Sequence, residues 1–154
     1  MTPDSIQREI VIEAPVDLVW RALTEPEQLA SWFSDEADLD MRPGGGGTMT
    51  WTDRATNTPM VVPISVQALD APSRFAYRWV HPEGEEANAT NSLLVEIAIA
   101  PAGEGTRITL TESGFAEIAW SEEQKAEVAE RQARGWVIHL SSLRDYALRQ
   151  LANA

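Results

Sequence analysis

Glu112 has the setting that most invites chemistry. In the alternating stretch 106–115 it shares parity with Ile108 and Leu110, so a strand here turns its carboxyl toward the apolar side. Desolvation disfavours a bare carboxylate, which must therefore find a partner or hold a proton. Its functional reading is a polar anchor or general acid inside an apolar pocket. Its structural readings are a bulge or strand end that returns it to water, or an ion pair with Arg8, inward by the same count. His139 is the second candidate, one turn from Trp136 and Leu143 on the same helical face. A neutral imidazole there can bind a ligand or relay a proton; a histidine satisfied within a core would look the same in sequence.

Other chemistries find little support. The chain has no cysteine, which excludes disulfides, thiolate metal sites and a cysteine nucleophile. His81, the only other histidine, precedes Pro82 with no ligand spacing around it, so no metal or other cofactor is expected. No Gly-x-Ser-x-Gly elbow occurs, which leaves Ser/His/Asp catalysis without its nucleophile. The run Gly44-Gly45-Gly46-Gly47 lacks the Gly-Lys-Ser/Thr and following helix of a phosphate loop, and Thr48-Met49-Thr50-Trp51 reads as strand. A mobile hairpin loop is the expectation.

Apolar surface for a pocket comes from Trp32, Phe33, Trp51, Phe75, Tyr77, Trp79, Phe115 and Trp136. Large aromatics of this kind remove ~150–250 Å² each from water when buried, and ordinary packing explains most of them. Trp51 and Trp79, opposite Trp136, are the expected walls; Trp32-Phe33 and Trp120, at element ends, are the expected mouth. Gly135 within a helix costs ~1 kcal/mol relative to alanine, which suggests close backbone approach to the sheet or a slight bend.

The elements that position these residues follow from periodicity. Ile6-Gln7-Arg8-Glu9-Ile10-Val11-Ile12-Glu13 alternates as a first strand. Pro15 suits a helix start, and Val16, Val19, Trp20 and Leu23 make a short amphipathic helix. Thr24-Glu25-Pro26-Glu27 has the pattern of a capping box opening a second short helix through Leu29 to Trp32-Phe33. Strands are predicted at 37–41, 48–52, 61–69, 74–80, 93–100 and 106–115, the polar stretch 81–91 being a loop. Short turns between them make the sheet antiparallel. Ser121-Glu122-Glu123-Gln124 then caps a proline-free helix to the end of the chain. Val128, Gln132 (a polar exception), Trp136, His139, Leu140, Leu143, Ala147 and Leu151 mark one face. Spanning roughly 45 Å at ~1.5 Å per residue, it is the one element able to cover the sheet. Two curved layers touching at their ends can leave a gap in the middle, and that gap is the expected site.

Composition bounds the partners. At 154 residues one domain, 1–154, is expected. A formal charge of −12 opposes nucleic acid and acidic membrane surfaces. The N-terminus lacks the stretches of a secretion signal and no run reaches the ~18 apolar residues of a membrane span, so a soluble, cytoplasmic protein is expected.

The order of one strand, two short helices, about six strands and one long helix resembles the helix-grip fold of the START-related SRPBCC superfamily, which includes the birch-pollen-allergen-like proteins. The fold class is α+β. The opening Ile12-Glu13-Ala14-Pro15-Val16-Asp17-Leu18-Val19-Trp20-Arg21-Ala22-Leu23-Thr24 is similar to that of the family named for the activator of the heat-shock-protein-90 ATPase. Pro26 with Leu29 and Trp32-Phe33, and Gly135-Trp136 with Leu140, Leu143 and Tyr146, extend the resemblance. It implies an apolar cavity between sheet and long helix, and neighbouring first and last strands, which permits an Arg8–Glu112 pair. It transfers no catalytic residue, since the superfamily hosts lipid carriers, cyclases, hydrolases and co-chaperone domains. The leading expectation is binding of a small apolar or amphipathic ligand in that cavity, with no catalytic residue assigned. Trp32, Phe33, Trp51, Tyr77, Trp79, Glu112, Phe115, Trp136 and His139 are its expected contacts. The alternatives are a polyketide-cyclase- or dehydratase-like enzyme using Glu112 or His139, and a co-chaperone-like protein-interaction module; a homodimer is compatible with each.

Overall fold

A computed structural model describes residues 4–82 and 84–153. Residues 1–3, part of the stretch read as lacking a secretion signal, Glu83 of the polar loop and Ala154 lie outside them. The order is β1 (Ser5–Ile12), α1 (Val16–Thr24), α2 (Pro26–Trp32), β2 (Glu36–Leu39), β3 (Gly46–Asp53), β4 (Thr58–Asp70), β5 (Arg74–Trp79), β6 (Leu93–Ala102), β7 (Gly105–Ser113) and α3 (Glu122–Ala152). All seven strands form one antiparallel sheet in the order β1-β7-β6-β5-β4-β3-β2, the helix-grip arrangement. Since β1 and β2 lie at opposite edges, α1 and α2 carry the chain across one face. The first and last strands are neighbours, with Ile6 opposite Glu112.

Alternation places the core where the pattern requires it. Leu93, Val95, Ile97 and Ile99 of β6 and Ile108, Leu110 and Glu112 of β7 are all buried. The helix α3, 31 residues long, starts where Ser121 accepts from the amide of Gln124 at 3.1 Å. It buries Val128, Trp136, Leu140, Leu143 and Ala147, whereas Leu151, expected on the same face, is 39% exposed. Tyr146 fastens its far half by donating to Gln28 of α2 at 3.2 Å.

Two local expectations are corrected. Thr24 does not cap α2: it is still the last residue of α1, and its hydroxyl donates back to the Trp20 carbonyl at 2.7 Å. Glu25 occupies the N-cap position without a side-chain bond, with Pro26 as the first helical residue. The glycine run is no free loop either, because Gly46 and Gly47 belong to β3 and pair with Ser65 and Ile64 of β4. Their φ angles of +155° and +154°, and the carbonyls of Ile64 and Asp38 where a Cβ would stand, make glycine obligatory at both.

Candidate functional site

Glu112 is fully buried and gathers three donors from two other elements. The Trp79 indole of β5 donates to Oε2 at 2.7 Å, the Trp136 indole of α3 to Oε1 at 2.8 Å, and the Gln132 amide of α3 to Oε2 at 3.0 Å. Parity turns Trp79 inward on β5, and Gln132 and Trp136, four apart, look down from one helical face. The polar exception on that face is thus an intended one. No bulge returns Glu112 to water, and the pair with Arg8 does not form: the Arg8 guanidinium donates to the carbonyls of Gln7 and Ala133 at 2.9 and 3.3 Å. Burial pushes the Glu112 carboxyl above its ordinary range, and the N–H groups of Trp136, Trp79 and Gln132 pull the other way. With both oxygens occupied by protein, the carboxyl acts on its neighbours: it fixes two tryptophans and a glutamine.

The expected roomy cavity is largely filled. Between sheet and α3 lies an enclosed space of only about 20 Å³, lined by Leu23, Trp32, Phe33, Tyr77, Leu110 and Trp136 among others. That suffices for roughly one water molecule. The filling is aromatic: Phe33 stacks on Trp32, Trp136 and Trp79 with centroids 5.1, 5.7 and 6.1 Å away, and meets Trp51 and His139 edge-on at 5.2 and 4.8 Å. Side chains expected to wall a ligand space contact one another instead. The Tyr77 hydroxyl, in that lining, is buried without a hydrogen-bond partner. Burial, then the neighbouring Glu112, drives its pKa well above the usual tyrosine value.

Open space lies just outside this cluster. A groove of about 470 Å³ runs between α3 and the β3–β5 side of the sheet, lined by Trp51, Met60, Val62, Trp79, Val80, Arg131, Gln132, Gly135 and His139. Glu112 therefore stands behind the groove, holding two of its lining residues. Trp51 is held too, its indole donating to the Phe33 carbonyl at 2.7 Å. Val80 has φ +64°, a left-handed conformation unusual for a β-branched residue and worth ~1–3 kcal/mol of strain. It turns the chain sharply at the groove wall after Trp79.

The predicted residues thus separate into three groups. Trp51, Trp79 and His139 line the groove; Trp32, Phe33, Phe75, Tyr77 and Trp136 surround the small enclosed space. Phe115, fully buried, and Trp120, half-buried, line neither. Burial lowers the His139 pKa, keeping the imidazole neutral near pH 7. Gly135 does not serve close packing: a Cβ there would touch only the His139 ring, at 3.9 Å. His81, read as a loop histidine, is buried with Nδ1 unpartnered. Among the described residues no three acidic or histidine side chains gather as metal ligands, and no helix is long and apolar enough to cross a membrane. Met60, Val62, Val80 and Arg131 went unpredicted; Gln132, polar on an apolar face, and Gly135, costly within a helix, stood out in the sequence without being assigned to a site.

Comparison with known proteins agrees with this architecture. A Nitrosomonas europaea protein of solved structure is 20% identical, with 96% of each chain covered and a TM-score of 0.78. DynU16, from the dynemicin biosynthetic locus, is 23% identical over 94% of this chain and 47% of its own, with a TM-score of 0.69. The Aha1 dimer from Colwellia psychrerythraea is 17% identical over 92% of this chain and 93% of its own, with a TM-score of 0.68. No curated protein matches the sequence. The model of the Activator of Hsp90 ATPase homolog 1-like protein family matches residues 13–147, from just after β1 to near the end of α3, and the chain belongs to that family.

Proposed function

We propose that this protein binds a small, mostly apolar molecule in the groove between α3 and β3–β5, with Trp51 and Trp79 as its walls. The observation that carries the reading is the pairing of that open, aromatic-walled space with a clamp that rigidifies its wall. A wall preset by buried hydrogen bonds loses little entropy when a ligand arrives. Gly135 supports it: a helical glycine with ordinary room for a Cβ has no packing reason to be there, but keeps the groove open toward His139. The groove volume falls in the ~300–1,000 Å³ range of small-molecule sites, and the enclosed space does not. Tryptophan-fluorescence titration with apolar ligand classes tests it. Saturable binding that Trp51→Ala weakens is expected; failure of every class would remove the reading.

An acid–base reading rests on His139, a neutral imidazole facing the groove. It requires His139→Gln to abolish turnover of a bound substrate while binding persists.

A further inference from the structure

Among the groove's lining residues Arg131 is the only one with a formal charge, in a chain of 24 acidic and 12 basic side chains. Several arginines make no ion pair, but among the described residues only Arg131 and Arg149 make neither an ion pair nor a side-chain hydrogen bond. Glu127 lies four residues before it on α3, the favourable order for an ion pair along a helix. That pair is not made, and Arg131 enters no ion pair among the described residues. Three residues on, Arg134 does pair with Glu130, at 3.3 Å. So the helix neutralises one arginine and directs the next-door one, unpaired, to an apolar cleft. Beside it the Gln132 amide, one hydrogen engaged with Glu112, has a second to offer. Opposite stand Trp51, Met60 and Val62, with Met60 60% exposed.

Resting on the groove reading above, we infer that the ligand is an amphipathic organic carboxylate, its anionic head at Arg131 and its apolar body along Trp51, Met60 and Val62. A guanidinium fork matches the two carboxylate oxygens. The overall charge of −12 repels anions from most of the surface, so affinity for one would have to arise locally.

Calorimetric titration with 1-naphthaleneacetate, 1-naphthaleneacetamide and 1-naphthaleneethylamine, which share one apolar body, separates the possibilities. In the native protein the carboxylate is expected to bind about tenfold or more tighter than the amide. Arg131→Gln should abolish that preference, weakening the acid more than the amide, whereas Arg134→Gln, with the same change in net charge, should preserve it. Equal binding of acid and amide, or preference for the amine, would overturn the carboxylate and leave the groove reading standing. A preference that survives Arg131→Gln would overturn the assignment to Arg131. Absence of binding by all three would overturn this inference together with the groove reading.

Discussion

The buried cluster around Glu112 and the groove beside it share residues but obey opposite rules. In the cluster both Glu112 oxygens and the Trp79 and Trp136 indoles are matched, though the Tyr77 hydroxyl is not; rings pack at 5–6 Å, and about 20 Å³ is left over. In the groove Arg131 lacks a partner, Met60 faces solvent, Val80 is strained and Gly135 leaves space. Trp79 and Gln132 belong to both, holding Glu112 on one side and lining the groove on the other. Stability is concentrated in the first region so that the second can remain open, which is how a rigid site is usually supported.

If this division is right, substitutions should divide the same way. Glu112→Ala strands two buried indole N–H donors and one part-buried amide and should cost about 3–5 kcal/mol in urea unfolding; a loss under about 1 kcal/mol would erase the distinction. Glu112→Gln should cost less, roughly 1–3 kcal/mol, since one amide oxygen still accepts. The same variant reads the pH dependence. Because the folded-state pKa of Glu112 is raised above 4.5, its contribution is complete below that value and is lost as pH rises through the folded pKa. Urea midpoints should therefore show the advantage of the native protein over Glu112→Gln shrinking from pH 4.5 upward.

Changes in the groove should move binding more than stability. Gly135→Ala should stabilise by up to about 1 kcal/mol, as measured by thermal melting, while weakening ligand binding. A variant that gained stability and bound equally well would show that Gly135 does not shape the site. Met60→Ser should alter stability by no more than about 0.5 kcal/mol, yet lower affinity in the same titrations.

Much of the architecture was legible in the residues because period and parity are local. The alternation of Ile108, Leu110 and Glu112 is enough to turn the carboxyl inward, and the face from Val128 to Ala147 is enough to set α3 on the sheet. Distance between layers is not local. Parity says that Trp79 and Trp136 point inward, but not that they stack on each other at 5.6 Å, nor that Phe33, arriving from α2, packs against both and fills the gap. Arg8 shows the same limit: it lies inward on the strand beside Glu112, yet its guanidinium crosses to the Ala133 carbonyl. The groove was hidden for a related reason, since Met60 lies before the apolar run 61–69, while β4 actually begins at Thr58.

The division between sealed cluster and open groove is tested most directly by NMR titration of the native protein with 1-naphthaleneacetate, following tryptophan indole and side-chain methyl signals together. The Trp51 indole and the Met60 and Val62 methyls should shift and saturate together, while the methyls of Leu23, Leu110 and Ile97 around the enclosed space stay fixed. Shifts of those inner methyls with Met60 and Val62 silent would place the ligand inside the domain and contradict the account.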